Sequence, residues 1–522
     1  MILGQHRALI TAPAAVLAIA LVACGSGGGA SEKSASIEGP EPSCDQRDGG
    51  TAKLAMATDL ITWDINQQPA GTSTLINATN LVFDRLLRPT ADLEGFENRL
   101  ATSIDHNADF TRWTLKLRPG VKFQDGSSLD AGDVVFSIDY YLKGASGFAF
   151  GPVKDVKAID KLTVEVDYGQ PYADLPGEAL ASFSGSIIPS NFGGRTAADF
   201  WQKPIGTGPF QIVSSRPSSE VELERNPAYW DGAPHLDGID LKIVADANDR
   251  TLGLEGGAFD LIDTVSPDSI GTLGGDSESR VLKPSTITDV LLLSASSSLL
   301  RDHDVRRAMT YAIDRDSVVA GAYNELADAT TQLIPDAQPY TSPPENPPSF
   351  DLDKAKQLMA DSEHSGGGQA TLIYQNGDPP LELEAQILAQ QLAEIGIDVQ
   401  LQPLGSSVYF DQATTGDFEI ALTHSESVIA DPYDLLSFDV ATQGFFGGWP
   451  TAYVGKLATE FSSTDDPQRL TDIVQLYENY VTQQARQIPV VSPFWLNAQS
   501  ARLANLRMSL INEWYLDQAW LC

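Results

Sequence analysis

The side chains best suited to catalysis in this sequence are histidines, serines and carboxylates, and none of them forms a catalytic pattern. The histidines show no His-x-x-x-His or comparable spacing, so a built-in zinc site is not indicated; they are His6, His106, His235, His303, His364 and His424. No Gly-x-Ser-x-Gly elbow and no Gly-x-x-x-x-Gly-Lys-Ser/Thr phosphate loop occurs. The 70 Asp and Glu residues permit an acid/base pair anywhere and therefore predict none in particular. The sequence favours binding over catalysis, and we expect neither a metal nor a cofactor.

The first cysteine indicates lipid attachment. Arg7 precedes sixteen uncharged residues, 8–23, a pattern typical of a secretory signal peptide. The alternative is a permanent transmembrane anchor, but this run is shorter than the ~20 residues that span a bilayer, and Pro13 interrupts it. The sequence Leu-Val-Ala-Cys-Gly at 21–25 resembles the lipobox of bacterial lipoproteins. This resemblance implies that 1–23 is removed and that Cys24 carries a diacylglyceryl group and a third chain on its amine, as a stable anchor requires.

Residues 24–50 are predicted to be a lipidated, flexible tether. Gly, Ser and Pro supply 14 of the 26 positions in 25–50, and no apolar periodicity is present. The two remaining cysteines, Cys44 and Cys522, lie at opposite ends of the mature chain. Exported proteins meet oxidising conditions, and the termini of compact proteins are often neighbours, so we predict a Cys44–Cys522 disulfide. The alternative is two free thiols.

The elements that must position any site are mixed strands and helices. A chain of 522 residues predicts more than one domain, and a net charge of −36 argues against nucleic-acid binding. Residues 113–117 alternate with period two, which predicts a half-buried strand. Apolar residues at helical spacing predict helices around 305–313, 383–395 and 470–481. Arg306 and Arg307, on the first of these helices, are expected to form surface or inter-element ion pairs.

Six segments, taken together, carry a family resemblance. Residues 113–136, WTLKLRPGVKFQDGSSLDAGDVVF, resemble a stretch of the family 5 extracellular solute-binding proteins, the peptide- and nickel-type receptors of ABC importers. Further matches follow in the family's order at 204–210 (PIGTGPF), 224–237 (ERNPAYWDGAPHLD), 304–315 (DVRRAMTYAIDR), 389–399 and 486–489. Most of these motifs are turns and packing segments that identify the fold rather than the ligand.

The resemblance implies an α/β, two-lobed periplasmic-binding-protein fold of the large three-subdomain type, with a hinge and an interlobe cleft. Lobe I is expected at 45–85, 202–290 and 495–522, with an inserted subdomain at 86–201; lobe II is expected at 291–494. The implied function is capture of di- or oligopeptides and delivery to an ABC permease with its ATPase subunits. We expect a monomer that is lipid-anchored on the extracytoplasmic face of the cell membrane and is not an enzyme.

The residues expected to contact the ligand follow from the resemblance. In peptide-binding relatives, an Asp of the second lobe just before an Asp-Pro pair meets the peptide's ammonium group. Asp431 matches the Asp-Pro pair, and Thr423, His424, Ser425 and Glu426 replace the family's Trp-Thr-Gly/Ala-Asp. Glu426 is the candidate partner of the ammonium, or else a solvated loop charge. His424 and Ser425 could also offer backbone hydrogen bonds.

Three aromatic residues are further candidates. Phe445 and Trp449 belong to an aromatic, glycine-rich loop that would wall the ligand, unless it is ordinary loop packing. Trp63 and Asp64 occupy the position of the family's Leu-Asp-Pro after the first strand, near the expected cleft. The alternative is a core tryptophan followed by a turn aspartate. The sequence leaves open a non-peptide ligand such as a sugar, a nickel chelate or haem, and also a lipid-anchored enzyme or a signalling receptor. Ligand identity and the cognate permease are not encoded in recognisable motifs.

Overall fold

A central mixed sheet combines strands from near the beginning and near the end of the described chain. The computed structural model describes residues 36–38, 44–67, 72–216, 218–274, 276–426, 431–441 and 447–522. Eight strands form the first sheet, in the order Ser36–Glu38, Ser277–Lys283, Trp495–Ser500, Leu261–Ile262, Thr51–Met56, Gly238–Ile243, Glu220–Arg225 and Phe210–Arg216. Thr51–Met56 runs parallel to both of its neighbours. Such a central strand is covered on both faces, and its residues from Leu54 to Met56 are all buried.

A four-stranded antiparallel sheet packs beside the first one. Its order is Ala101–His106, Arg112–Leu117, Thr163–Tyr168 and Val153–Asp160. The alternation predicted at 113–117 is confirmed, because Trp113, Leu115 and Leu117 are buried while Lys116 is exposed. One hydrophobic core includes Leu54 under the first sheet and Leu115 of the second. The two sheets therefore share one lobe, which we call the first lobe.

A six-stranded sheet forms the second lobe. Its order is Ala327–Ala329, Gln487–Pro493, Ile287–Leu293, Ile420–Glu426, Gly368–Gln375 and Ile397–Leu404. Separate hydrophobic cores cover its two faces, one around Leu291 and the other around Leu292, as alternating side chains of one strand require. Every residue of Ile287–Leu293 is buried.

Helices cover these sheets at the predicted places. In the first lobe they are Ser73–Val82, Ala131–Leu142, Ala197–Gln202, Ala247–Glu255 and Pro267–Ile270. In the second they are Ser298–Arg301, His303–Ala312, Arg315–Tyr323, Leu352–Asp361, Pro379–Ala393, Ser406–Thr415, Tyr433–Ala441, Ala452–Phe461 and Pro467–Gln484. Several begin at aspartate caps, such as Asp378, whose carboxylate accepts from the Leu381 amide. The helices predicted around 305–313, 383–395 and 470–481 are therefore confirmed.

The chain passes between the two lobes twice. Residues 284–286 join Ser277–Lys283 of the first lobe to Ile287–Leu293 of the second. Phe494 alone separates Gln487–Pro493 from Trp495–Ser500 on the return. The Trp495 indole donates to the Thr286 hydroxyl over 2.8 Å, so the two crossings are hydrogen-bonded to each other.

The predicted disulfide is present and ties the two ends of the chain together. Cys44 and Cys522 are bonded, with their Cα atoms 5.8 Å apart. Within the expected tether, Ser36–Glu38 pairs with residues 281–283 at the edge of the first sheet. The Gly50 amide donates to the Asp237 carboxylate over 3.0 Å. The expected signal peptide and Cys24 lie outside the described residues. No helix in the described part of the chain is long and apolar enough to cross a membrane.

Candidate functional site

Four of the predicted ligand residues form the end of one central strand of the second lobe. Thr423, His424, Ser425 and Glu426 close the strand Ile420–Glu426, which pairs antiparallel with Ile287–Leu293. Thr423 is buried, whereas the other three are half-buried, so the strand becomes more accessible toward Glu426. His424 stands opposite Asp289 on the neighbouring strand.

The His424 imidazole lies between two carboxylates. Its Nδ1 is in hydrogen-bond contact with Asp289, and its Nε2 lies 3.0 Å from an oxygen of Asp378. Burial alone would lower the pKa of His424, but the charges and hydrogen bonds of Asp289 and then Asp378 outweigh it and hold that pKa well above its usual value. The side chain is therefore an imidazolium that donates to both acids.

A third acid, Glu384, joins this network through the hydroxyl of Tyr323. The Tyr323 hydroxyl lies 2.5 Å from Asp289 and 2.9 Å from Glu384. One phenol proton cannot serve both acids. Burial, with the nearby charge of Asp289, raises the pKa of Glu384 well above its usual value. We infer that Glu384 is protonated and donates to Tyr323, which donates to Asp289.

The charges of this network act on Glu426. Burial raises its pKa, the His424 charge lowers it, and the charges of Asp289 and Asp378 raise it again. Two carboxylates, those of Asp289 and Asp378, face one imidazolium here, so the electrostatic potential beside Glu426 is negative. This potential suits a cationic group such as an ammonium ion.

Asp431 lies where the two lobes touch. Its carboxylate accepts from the Tyr433 amide over 2.9 Å, and a Cβ added to Gly177 of the first lobe would come within 2.8 Å of it. The Ala173 amide donates across the same boundary to the Ser462 carbonyl over 2.6 Å. The segment 172–178 of the first lobe therefore packs directly on the second.

The structure places Trp449, one of the predicted aromatic residues, away from His424. The Trp449 indole donates over 2.6 Å to the carbonyl of Leu293, at the opposite end of the strand that carries Asp289. Its ring is covered by the guanidinium groups of Arg306 and Arg486, at 4.6 and 4.9 Å. Trp449 thus serves as a packing residue at that end of the second lobe.

The remaining candidates divide between the core and the undescribed loop. Trp63 is buried in the core of the first lobe, and its indole donates to Ser215 over 3.0 Å. Phe445 lies outside the described residues. Arg306 is buried and donates to the carbonyls of Leu300, Arg301 and Gln484. Among the contacts described for it there is no ion pair, so the expected one is wrong; the helix places this side chain inward.

A cavity in the first lobe has a structural explanation. It is lined by charged side chains that include Asp84 and Arg99. The Asp84 carboxylate accepts from the Tyr229 hydroxyl at 3.0 Å, the Trp230 indole at 2.8 Å and the Thr207 hydroxyl at 3.0 Å. Two of the sequence motifs, at 204–210 and 224–237, therefore meet at one buried acid, which supports their reading as packing segments.

Sequence reasoning missed Asp289, Tyr323, Asp378 and Glu384. A signal for the first of them was present, because Asp289 is the single charged residue of the otherwise apolar or neutral strand Ile287–Leu293. A buried acid in such a strand requires a partner. The other members come from two helices: Tyr323 ends Arg315–Tyr323, while Asp378 caps Pro379–Ala393 and Glu384 lies within it. Nothing in their spacing along the chain links them to Asp289.

Comparison with known proteins identifies the family. Residues 95–446 match the family described as bacterial extracellular solute-binding proteins, family 5 Middle. This chain belongs to that family. A probable D,D-dipeptide-binding periplasmic protein of Escherichia coli K12, DdpA, is 29% identical over 74% of this chain and 77% of its own length. The oligopeptide-binding protein AppA of Bacillus subtilis is 27% identical over 90% of each chain.

Solved structures support the fold. The dipeptide-binding protein of Pseudoalteromonas sp. SM9913 in complex with Met-Leu superposes with a TM-score of 0.81, at 18% identity, over 91% of this chain and 100% of that one. The two-lobed α/β fold expected from the sequence is confirmed. The protein is an extracytoplasmic solute-binding protein of the transporter type.

Proposed function

We propose that this protein captures peptides between its two lobes and delivers them, chemically unchanged, to an ABC permease. The observation that carries the proposal is the end of the strand Ile420–Glu426, where Glu426 adjoins a negatively charged network. The peptide-binding names of the similar proteins support the same ligand class.

The lobes are proposed to move as two bodies about residues 284–286 and Phe494. Two short crossings allow rotation with few changes in backbone angles. A ligand favours the closed form through contacts that only that form offers, and the importer recognises the closed form. We further propose that Cys24 is lipidated and holds the receptor at the membrane.

Binding without turnover tests this function. Thermal shift against di- to pentapeptides is expected to show stabilisation, because a ligand at 100 times its Kd adds about 2.7 kcal/mol. Mass spectrometry of the same peptides after incubation is expected to show no conversion. No stabilisation by any peptide, or cleavage of the bound one, would contradict the proposal. Native mass spectrometry of freshly purified protein would weigh any ligand retained from the host.

Glu426 is tested by Glu426→Gln. We expect this change to weaken binding of a free-amine peptide at least tenfold, because a charged hydrogen bond is lost. The matched N-acetylated peptide should bind both proteins equally. Glu382→Gln serves as the control. Glu382 is another acid of the second lobe, and its carboxylate accepts from the Gly377 amide. Unchanged affinity for the free-amine peptide would exclude Glu426 as its partner.

A further inference from the structure

Four carboxylates from both lobes meet at one buried place. Asp174 and Glu178 flank the start of a π-helical turn, Leu175–Leu180, in the first lobe. Asp431 and Asp434 lie at the start of the helix Tyr433–Ala441 in the second. We call these four residues the interlobe acid cluster. Asp174 is 6% exposed and Glu178 is 1% exposed, so neither carboxylate is solvated.

No basic side chain in the described residues pairs with this cluster. Asp174 Oδ2 and Glu178 Oε1 are buried oxygen atoms without a hydrogen-bond partner among the described residues. The neighbouring segments 427–430 and 442–446 contain no Lys, Arg or His. Buried carboxylates are neutralised either by a proton or by a cation. If these groups are ionised, the cation must therefore come from outside this part of the chain.

The raised pKa values of the four acids show that ionising them together is unfavourable without a cation. Burial raises the pKa of Asp174 well above its usual value, and the charge of Asp431 adds to it. Burial, and then the charges of Asp434, Asp431 and Asp174, do the same for Glu178. Burial raises the pKa of Asp431 and of Asp434 to about 7. The cluster is therefore poised to exchange protons for a bound cation near neutral pH.

The surrounding aromatic side chains point to the kind of ligand. The Tyr172 hydroxyl is buried without a partner among the described residues. Burial, and then the charges of Glu178 and Asp174, raise the pKa of Tyr172. The Tyr172 ring meets Tyr433 of the second lobe edge to face, with centroids 6.0 Å apart. Tyr433 in turn stacks on Phe461 at 6.1 Å. Aromatic faces beside carboxylates are the surroundings that an organic cation prefers.

We propose that the interlobe acid cluster and the Tyr172 hydroxyl form a subsite for a cationic side chain of the solute, an ammonium or guanidinium ion. This inference rests on the proposed function and adds a preference for lysine- or arginine-containing peptides. The subsite is separate from Glu426, whose titration responds to His424, Asp289 and Asp378. The described residues contain no group of three or more His, Cys, Asp or Glu arranged to hold a metal ion, which favours an organic cation.

Two tripeptides that differ in one charge provide the test. Calorimetry at pH 8 should show Ala-Lys-Ala binding at least tenfold more tightly than Ala-norleucine-Ala. The double variant Asp174→Asn/Glu178→Gln should abolish that preference and leave the affinity for the norleucine peptide within about threefold. The matched control, Glu94→Gln/Asp105→Asn, changes two exposed acids of the same lobe and should retain the preference.

A second measurement needs no variant. The titratable groups around Asp431 and Asp434 are Asp174 and Glu178, the hydroxyls of Tyr172, Tyr340 and Tyr433, and Asp465 beside Tyr340. Binding of Ala-Lys-Ala at pH 7 should therefore release more protons than binding of the norleucine peptide, as calorimetry in phosphate and Tris buffers reports. Equal affinities, a preference retained by the double variant, or equal proton release would overturn the subsite alone. Failure of the unaltered protein to bind either peptide would overturn the proposed function and the subsite with it.

Discussion

Replacing His424 by glutamine tests the charge network at the end of the strand Ile420–Glu426. The change removes the imidazolium that donates to Asp289 and Asp378 and leaves the fully buried Asp289 with Tyr323 and the neighbouring acid Glu384. Breaking a buried ion pair costs about 3–5 kcal/mol. The His424 side chain is 28% exposed, so solvent screens part of this, and we expect a loss of about 2–3 kcal/mol.

Thermal and urea denaturation measure this loss. For a lobe of about 200 residues, it corresponds to a fall of about 4–12 °C in Tm. His303→Gln is the matched control, since that imidazole of the same lobe is exposed and lies 2.8 Å from one carbonyl, that of Gln483. The control should change stability by less than about 0.5 kcal/mol. Adding Asp289→Asn to His424→Gln should recover part of the loss, because no unpaired charge then remains in the core.

The raised pKa of His424 determines how the stability loss in His424→Gln changes with pH. The folded pKa of His424 is raised above the unfolded value of about 6.5, so its stabilisation is complete below pH 6.5 and is lost as pH rises through the folded pKa. The difference between the unaltered protein and His424→Gln should therefore be larger at pH 6 than at pH 10. Equal losses in His424→Gln and His303→Gln at pH 6, or a difference that does not vary with pH, would refute the network.

Three further predictions concern the anchor, the disulfide and closure. Cys24→Ala should release the receptor from the membrane fraction into the soluble fraction, as fractionation and immunoblotting would show; retention would contradict lipidation. Cys44→Ser/Cys522→Ser should lower the unfolding free energy by at most about 6 kcal/mol, the chain-entropy value for cysteines 478 positions apart, and calorimetry showing no loss would contradict this. If the lobes close as proposed, closure brings the two halves of the interlobe acid cluster together and raises their pKa values, so acidification should favour the closed form. Small-angle scattering without ligand should give a smaller radius of gyration at pH 5.5 than at pH 8.5, and no change would contradict this.

Local periodicity and the order of the family motifs predict most of the fold. The strand at 113–117 and the helix beginning at His303 are encoded by neighbours along the chain, so the sequence alone predicts them. The disulfide followed from compartment and from the proximity of termini. The strand and the helix depend on local contacts, which is why one sequence predicts them; the disulfide joins cysteines 478 positions apart and was predictable because few cysteines could pair.

The candidate site was only partly predictable, because contacts between residues far apart in the chain determine it. Glu426 and His424 share a strand, but the groups that set their charge come from other elements: Asp289 from a neighbouring strand, and Asp378 from a helix cap. Trp449 illustrates the converse, since an aromatic residue in a glycine-rich loop is equally suited to a ligand wall or to covering arginines. Only the fold distinguishes these outcomes.

The two groups of acids in this protein differ in how their charge is compensated, and this difference bears on function. Around His424 an imidazolium from the chain itself offsets one of the two negative charges of Asp289 and Asp378, and all three residues belong to the second lobe, so this network does not depend on whether the lobes are open or closed. The interlobe acid cluster has no such partner in the described residues, and its halves come from different lobes. Closing without a cation therefore carries a cost that opening removes, and every 1.4 kcal/mol of that cost lowers the closed population about tenfold. A cationic solute bound at the proposed subsite would cancel this cost, so we expect the lobes to close mainly when loaded, and an importer that recognises the closed form would seldom meet an empty receptor.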